Sequence, residues 1–239
     1  MKLRSVFASL FLLASVFTYA QTADEIVSKS IEALGGLEKW KSFTTSKATA
    51  TMSMQGFEFP ATLINAAPNK MRVDVSVMGQ NIVQAYDGTT AWMLNPLQGG
   101  ADAQVMPDEA AAEMKSQEFQ NPLIDYSAKG HKAELDGKET VEGTNCHKVK
   151  LTKKDGSVEY YLIDAESFAP IMMRTAVKSG PGAGQFVETF MSDYQEVDGV
   201  MVPFFVEAKV AGNSMQKVVV KEMKFNVPVE DSLFAFPKK

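Results

Sequence analysis

A period-two alternation of apolar and polar residues is the feature of this sequence that most restricts its fold. It runs through KATATMSMQG (residues 47–56) and KMRVDVSV (residues 70–77). The apolar members are Ala48, Ala50, Met52, Met54, Met71, Val73, Val75 and Val77. Successive side chains of a β-strand point to opposite faces of the sheet, whereas a helix repeats every 3.6 residues. Both stretches are therefore predicted to be strands that bury one face and expose the other.

Strand-like runs recur along the rest of the chain at short intervals. They cover residues 57–65, 80–86, 89–95, 131–135, 145–153, 157–164, 170–178, 185–195, 201–210 and 215–225. Asp-Gly pairs, which suit tight turns that need a positive φ, occur at several points along these runs. The four pairs are Asp87-Gly88, Asp136-Gly137, Asp155-Gly156 and Asp198-Gly199. Because strands joined by tight turns are antiparallel neighbours, the sequence predicts a meander of roughly ten strands.

Two segments have helical rather than strand character. The first is predicted over residues 23–35, where Thr22 or Asp24 can cap the helix and a Gly-Gly pair ends it. The second is predicted over residues 106–119. An open meander of this size must curl, split into two sheets or close. With so few helices, we predict a mainly β fold: a curled antiparallel sheet that forms an incomplete β-barrel, with the 106–119 helix in a small helical lid.

Residues 1–20 have the anatomy of a secretory signal peptide. A start with two basic residues is followed by a nearly continuous apolar run, and a small-residue cleavage site precedes Gln21. A membrane anchor is the alternative, but the run is shorter than the ~20 apolar residues that a spanning helix needs. We therefore predict export to the periplasm, cleavage between Ala20 and Gln21, and a single domain over residues 21–239.

Charge and cysteine content narrow the possible partners. Cleavage after residue 20 would remove Lys2 and Arg4 and no acidic residue, so the formal net charge would change from −5 to −7. An acidic protein has no overall attraction to nucleic acid, so no nucleic-acid partner is predicted. Cys146 is the only cysteine, which excludes an intrachain disulfide and leaves no lipid-attachment site near residue 21.

The sequence offers little for catalysis. Cys146 and His147 are adjacent in a predicted strand and so point to opposite faces, which prevents a nucleophile–base pair. No zinc-ligand spacing and no complete phosphate-binding loop occurs, so no metal and no cofactor are predicted. Carboxylates such as Glu58, Asp74 and Glu188 are scattered, and an exported hydrolase with an unrecognised acid pair stays open as an alternative. We predict that the protein is not an enzyme.

Apolar side chains are abundant where catalytic groups are absent. In YDGTTAWMLNP (residues 86–96), the strand from Ala91 to Leu94 is apolar on both sides, and we expect its second side to lie under the lid. The chain has 14 methionines, which suit surfaces that accommodate variable apolar partners and also irregular cores. A concave, mostly apolar site for lipid would use these residues. The predicted lipid-binding residues are Met52, Met54, Phe57, Phe59, Met71, Val73, Val75, Trp92, Leu94, Met114 and Met173.

Three stretches of the chain resemble a known family. They are ADEIVSKSIEALGGLEKWKSF followed by a period-two strand, APNKMRVDVSVMGQNIVQAYDGTTAWMLNP, and the tail KFNVPVEDSLFAFP. Together they are similar to the periplasmic lipoprotein carriers of the LolA/LolB-like superfamily, the outer-membrane lipoprotein-sorting proteins. The resemblance implies an incomplete barrel with a helical lid over a hydrophobic cavity. It also places Trp92 and Leu94 on the strand that follows the Asp-Gly turn.

The same resemblance implies a function. A carrier of this kind binds the acyl chains of lipoproteins or other lipids in its cavity and transfers them to the outer membrane. Its partners would be a donor protein at the inner membrane and an acceptor protein at the outer membrane, and we expect a monomer. A periplasmic lipid-sensing regulatory protein is the second interpretation. In either case, titration with lipid is expected to quench the fluorescence of Trp92.

Overall fold

The structure, a computed structural model, describes residues 21–98, 102–177 and 183–237. The predicted signal peptide, residues 1–20, lies outside the described residues, so export and cleavage stay predictions. Within the described ranges, no helix is both long enough and apolar enough to cross a membrane.

The described residues form one antiparallel sheet of thirteen strands. The strands are β1 (Thr45–Met54), β2 (Phe57–Ala66), β3 (Lys70–Val77), β4 (Gln80–Tyr86), β5 (Ala91–Leu94), β6 (Gln104–Val105), β7 (Lys132–Val141), β8 (Thr144–Thr152), β9 (Val158–Asp164), β10 (Pro170–Ala176), β11 (Phe186–Val197), β12 (Val200–Val210) and β13 (Asn213–Phe225). Their order is β6-β5-β4-β3-β2-β1-β13-β12-β11-β10-β9-β8-β7. The sheet is therefore two meanders joined where β1 pairs with β13, and the mainly β prediction is confirmed.

Three α-helices accompany the sheet in the described ranges: α1 (Ala23–Ala33), α2 (Leu37–Lys41) and α3 (Asp108–Ser116). Short 3-10 turns occur at Pro96–Gln98 and Asp231–Leu233. α1 begins with a capping box in which Thr22 and Glu25 bond to each other's backbone N–H groups. It ends before Gly35, where φ is +107° and a Cβ atom would lie 2.6 Å from the carbonyl oxygen of Gly199. Only glycine fits there, which fixes α1 against the turn that precedes β12.

The helical elements pack on the same face of the sheet, which we call the inner face. Ile26 and Val27 of α1 pack against a buried cluster on β8 and β9. Phe43, which follows α2, packs against side chains of β12 and β13. Ala111 and Met114 of α3 pack against β4 and β5. The opposite side of the sheet is the outer face.

The sheet curls strongly around its inner face. α3 packs on β4 and β5, and the carbonyl oxygen of Ser116 at its end lies 3.5 Å from Nζ of Lys153, in the turn between β8 and β9. In a flat sheet those strands would be roughly 40 Å apart, whereas the helix is only about 13 Å long. The two ends of the strand order must therefore approach each other. β6 and β7 are the edge strands, so the sheet stays open, as the sequence predicted.

Residues 106–131, which we call the crossing segment, carry the chain from β6 at one edge to β7 at the other. The segment includes α3, which is shorter than the predicted helix because Gln117 is already extended. It lies over the inner face, where Met106 N donates to the carbonyl oxygen of Ala91 at 2.9 Å and Phe119 N donates to that of Pro68 at 3.0 Å. A lid-like element therefore spans the curled sheet.

The C-terminal residues 226–237, which we call the tail, cover part of the outer face. Phe234 is fully buried in a cluster with Ile64 and Ala66 of β2. Trp92 Nε1 donates a hydrogen bond of 2.7 Å to the carbonyl oxygen of Phe234, and Arg72 Nη1 donates one of 2.8 Å to that of Leu233. The tail thus supplies the second apolar contact of β5.

Three of the four Asp-Gly pairs lie in connections between strands, as predicted, and the fourth does not. Asp136-Gly137 lies inside β7, where the register with β8 shifts between Leu135 and Lys138. Such an irregularity gives an antiparallel strand an extra bend and also accommodates a positive φ, which is +89° at Gly137. The prediction of a turn there was wrong because a bulge and a turn call for the same residues.

Candidate functional site

Six apolar side chains at one end of the inner face belong to none of the buried clusters in the described chain. They are Met52, Phe59, Val73, Val75, Val206 and Val218. Met52 pairs with Phe59 on one side and with Val218 on the other, and Val218 also pairs with Val206. Val75 and Val73 pair with Ala61 and Leu63, which lie on the same face of β2 as Phe59. Direct cross-strand partners share a face, so the six residues form one apolar surface. We call this surface the hollow; all its members except Met52 are partly exposed.

Most of the predicted lipid-binding residues lie on or beside the hollow. The predicted residues that belong to it are Met52, Phe59, Val73 and Val75. Met54 and Phe57 pair with each other at the turn between β1 and β2, on the same face but at the exposed end of the sheet. Alternation along β1, β2 and β3 was therefore sufficient to identify one wall of this surface.

Three further predicted residues lie on the inner face side but pack inside clusters. Met71 and Met114 share a cluster with Tyr86, so they seat α3 on the sheet. Met173 packs beside the cluster under α1. These side chains hold the helices in place, and they would meet a ligand in the hollow only if the crossing segment moved.

Trp92 and Leu94 lie on the outer face, away from the hollow. Ala91 pairs with Tyr86 on the inner face, and the next residue, Trp92, necessarily points the other way and pairs with Ala85. Trp92 is 2% exposed and packs in a cluster with Val83 and Leu94. One side of β5, at Ala91, lies under α3, but the expectation that the lid covers Trp92 and Leu94 is wrong, because the tail covers that side. The expected quenching of Trp92 by bound lipid has no basis in this geometry.

Val206 and Val218 complete the hollow from strands that the sequence analysis did not select. Val218 lies in the run Val218-Val219-Val220. Because every residue of this run is apolar, the sequence does not show which side of the strand is buried. Register shifts near Thr49 and Ala208 also interrupt the alternation in this part of the sheet. The available signal was the apolar pair Val206 and Ala208, which alternates with Glu207 and Lys209.

A cavity of about 960 Å³ lies beside the crossing segment, and it is distinct from the hollow. Phe43 and Pro68 form part of one wall, Lys153 and Lys154 part of another, and Phe119 projects from the crossing segment. None of the six residues of the hollow lines it. Its lining combines apolar side chains with ion-paired ones, and the cavity follows the crossing segment.

A buried polar network fixes the end of α3 to the sheet. Nζ of Lys153 lies 2.8 Å from Oε1 of Glu159, and Tyr161 donates to Oε2 of the same carboxylate at 2.7 Å. Burial, and then the charge of Glu159, raise the pKa of Tyr161 far above its ordinary value. The Lys153 ammonium also lies near the Ser116 carbonyl, at the negative end of the helix dipole. The network therefore links α3 to the wall formed by β8 and β9.

A second ion-paired group holds the middle of the crossing segment. Oε2 of Glu118 lies 2.7 Å from Nζ of Lys129, and Oε1 lies 3.2 Å from Nε2 of His131. Because His131 Nδ1 accepts the backbone N–H of Lys154, its Nε2 carries the hydrogen and donates to Glu118. Burial raises the pKa of Glu118, but the bonds from Lys129 and His131 outweigh it and hold the pKa below its ordinary value.

We expect Glu118→Gln to lower the free energy of unfolding by about 1 kcal/mol at neutral pH, because it removes charge-assisted hydrogen bonds. A carboxyl with a lowered folded pKa stabilises the fold above its unfolded pKa and loses that effect as the pH falls through the folded value. The difference from the unmodified protein should therefore shrink below pH 4.5, the ordinary pKa of glutamate. Urea denaturation across this range measures it. Glu196→Gln, at an exposed position of β11, is the control, and a pH-independent difference for Glu118→Gln would contradict the assignment.

The candidate catalytic groups do not form a cleft. Cys146 packs in an outer-face cluster, while His147 stacks on Phe168 at the opposite side of β8. Asp74 accepts a hydrogen bond of 2.8 Å from Arg72 Nε, and Glu188 accepts one of 3.0 Å from Arg174 Nε, both on the outer face. Glu58 also lies on that face, in an exposed position. In the described part of the chain, no three His, Cys, Asp or Glu residues are placed to hold a metal ion.

The fold matches solved structures, although the sequence alone matches little. No family model matches the chain, and no curated protein matches it. A LolA superfamily protein from Nitrosomonas europaea is similar at 14% identity and a TM-score of 0.58, over 90% of this chain and 98% of that one. A DUF1329 family protein from Desulfovibrio piger has 14% identity and a TM-score of 0.60, over 89% and 97% of the two chains.

A third solved structure has a similar fold. A putative outer membrane lipoprotein-sorting protein domain from Vibrio parahaemolyticus has 12% identity and a TM-score of 0.55, over 88% of this chain and 94% of that domain. In all three cases the similarity covers nearly the whole of both chains, so it concerns the full sheet with its helices rather than a local motif. This chain has a LolA-like fold.

Proposed function

We propose that this protein binds acyl chains of lipids or lipoproteins in the hollow and carries them through the periplasm towards the outer membrane. The observation that carries the proposal is the continuous, partly exposed apolar surface of the hollow. A folded protein gains from burying such side chains, so leaving them open to solvent on a curved inner face favours a ligand that covers them. The LolA-like fold adds support, since one protein that shares it is described as a putative lipoprotein-sorting domain.

The energetics of the hollow suit an acyl chain. Each buried methylene contributes about 0.8 kcal/mol, so eight of them would contribute roughly 6 kcal/mol before the costs of association are subtracted. The hollow offers valine, methionine and phenylalanine side chains and no charged group, which suits a chain without polar atoms. Methionine also adapts its shape to different ligands. Binding by this surface needs no chemical step.

The crossing segment gives such a carrier a means of release. α3 itself contacts the sheet through Ala111 and Met114, whereas the rest of the segment is held by buried side chains such as Leu123 and by polar bonds such as the one from Gln120 Nε2 to the carbonyl oxygen of Trp40 at 2.9 Å. Apolar surface under α3, next to the hollow, would become available to a lipid when α3 lifts. The same surface would be covered again when it returns, which competes with the lipid and limits its affinity.

Titration of a Phe59→Trp variant with a long-chain fatty acid tests the proposal. We expect the emission of the new tryptophan to shift to the blue as the chain covers it, because its surroundings become apolar. The unmodified protein is the control, because Trp92 lies on the outer face and Trp40 packs in the cluster with Phe43. An unchanged spectrum at saturating fatty acid, together with no lipid in native mass spectra of the protein recovered from cells, would contradict the proposal.

A transfer assay separates a carrier from a lipid-sensing protein. Lipid would be labelled in donor vesicles, and its arrival in acceptor vesicles would be followed with and without the protein. Faster transfer in proportion to protein concentration supports a carrier. Binding without transfer would favour the sensing interpretation instead.

A further inference from the structure

Four apolar side chains project from three neighbouring turns at one end of the sheet. Met78 is 92% exposed in the β3–β4 turn, Phe57 is 67% exposed and Met54 46% exposed beside the β1–β2 turn, and Met215 is 57% exposed beside the β12–β13 turn. We call these four residues the apolar rim. They include the most exposed large apolar side chains among the described residues apart from Val105, so the end of the sheet that carries them is unusual.

The three turns are consecutive along the end of the sheet. In the strand order they belong to β4-β3, β2-β1 and β13-β12. With strands about 4.8 Å apart, neighbouring turns lie about 10 Å apart and the apolar rim extends over about 20 Å. The hollow begins just inside it, because Met52 and Phe59 are two residues before Met54 and two after Phe57 on the same strands. The rim therefore borders the open end of the hollow.

The backbone at Met78 indicates that this exposure does not serve folding. Met78 has a φ of +51° and Gly79 a φ of +76°, which is the two-residue turn that favours Asn, Asp or Gly at its first position. A methionine there costs about 1–2 kcal/mol in backbone conformation and leaves an apolar side chain in water. Gln55 and Ala211 take the same conformation before a glycine, so the feature particular to Met78 is its apolar, 92% exposed side chain, and a partner that covers this side chain would offset the cost of exposing it.

Charge is distributed unequally between the two ends of the sheet. The segments 53–57, 77–81 and 210–216, which form the three rim turns, contain no charged residue. The β11–β12 turn at the opposite end contains Asp198, which is followed by Gly199. In a chain with a net negative charge, the rim is the end that can approach an anionic surface with the least repulsion.

We infer that the apolar rim docks on the surface of a lipid bilayer, with the three turns inserted among the headgroups. Separate protrusions spread over about 20 Å fit a fluid apolar layer, which needs no complementary shape, better than a rigid protein surface. The continuity of the rim with the hollow supports the same partner. Docking in this way would bring the open end of the hollow against the lipid from which, or to which, an acyl chain moves. The inference concerns membrane contact, and it stands whether or not the hollow holds lipid in solution.

Flotation with vesicles of phosphatidylethanolamine and phosphatidylglycerol tests the inference on protein expressed from the full chain. We expect Phe57→Ser/Met78→Ser to bind these vesicles at least about tenfold more weakly, since burying each side chain contributes on this scale. Leu97→Ser/Val105→Ser is the matched control, because it removes two exposed apolar side chains outside the rim and should not change vesicle binding. Circular dichroism would check that both variants are folded.

A probe at the tip measures insertion directly. Met78→Cys labelled with an environment-sensitive dye should shift its emission to the blue on adding vesicles, and the native Cys146 is buried and would not compete for the label. Vesicle binding that is absent, or that is equal in the rim variant and the control, would overturn the inference. Self-association that is lost in the rim variant, with no vesicle binding, would assign the rim to a second copy of the chain and also overturn it. Fatty-acid titration without vesicles tests the hollow separately.

Discussion

Phe234→Ala is expected to lower the free energy of unfolding by about 3–5 kcal/mol, the cost of removing a fully buried aromatic ring and leaving a cavity. The ring is 0% exposed and fills a cluster with Ile64 and Ala66 of β2. Its loss would also loosen the backbone carbonyl to which Trp92 donates, so the tail should detach from β5 at a lower denaturant concentration. Urea denaturation followed by the fluorescence of Trp92 measures both effects.

Phe236→Ala provides the matched comparison for this prediction. Phe236 is also in the tail and meets Trp92 edge-to-face, but it is 36% exposed, so its removal should cost about 1 kcal/mol or less. Equal effects of the two substitutions would show that the cluster on β2 does not anchor the tail. Folded Phe234→Ala protein should bind fatty acid as before, because the tail and the hollow lie on opposite faces. A loss of binding in the folded variant would instead make the outer face part of the site.

The sheet could be predicted from the sequence wherever one face of a strand is apolar and the other polar. In β1 and β3 the alternation is strict, so the inward positions of Met52, Val73 and Val75 follow from parity alone. The meander also follows, because short connections with glycine join most successive strands. These signals are local, and a local signal is sufficient to predict that a segment is a strand and which of its faces is buried.

The second face of β5 could not be predicted in the same way. The residues on both sides of this strand are apolar, so the sequence shows that both sides are covered but does not show which segment covers each side. The contact that settles it joins Trp92 to Phe234, which are 142 residues apart. A pattern within one strand has no information about a tail that returns from the far end of the chain. For this reason Trp92 and Leu94 were placed with the wrong surface.

The far wall of the hollow was missed for a related reason. Val206 and Val218 lie on β12 and β13, whose pairings contain register shifts. At each shift the side-chain parity changes, so a face assigned at one end of the strand does not hold at the other. The run of three valines that includes Val218 removes the remaining contrast. Only the pairing of β13 with β1 shows that Val218 and Met52 share a face.

That same run of valines allows the sharpest test of the hollow. We expect Val218→Asp to weaken fatty-acid binding at least about thirtyfold, because a carboxylate against an acyl chain loses its hydration without gaining a partner. Val219→Asp changes the adjacent residue in the same way, but Val219 pairs with Thr51 and Phe205 on the outer face and is already 40% exposed. It should bind fatty acid with unchanged affinity. The measurement is displacement of a fluorescent fatty acid from both variants.

Val218→Thr is the control for a general loss of stability in Val218→Asp. Threonine has nearly the shape of valine and a high strand propensity, so the variant should fold while placing a hydroxyl in the hollow. We expect it to weaken binding by severalfold, between the unmodified protein and Val218→Asp, because the hydroxyl must be desolvated by the acyl chain. Equal affinities for the Val218 and Val219 variants would contradict the hollow as the binding surface, since the two positions differ only in the face that they present.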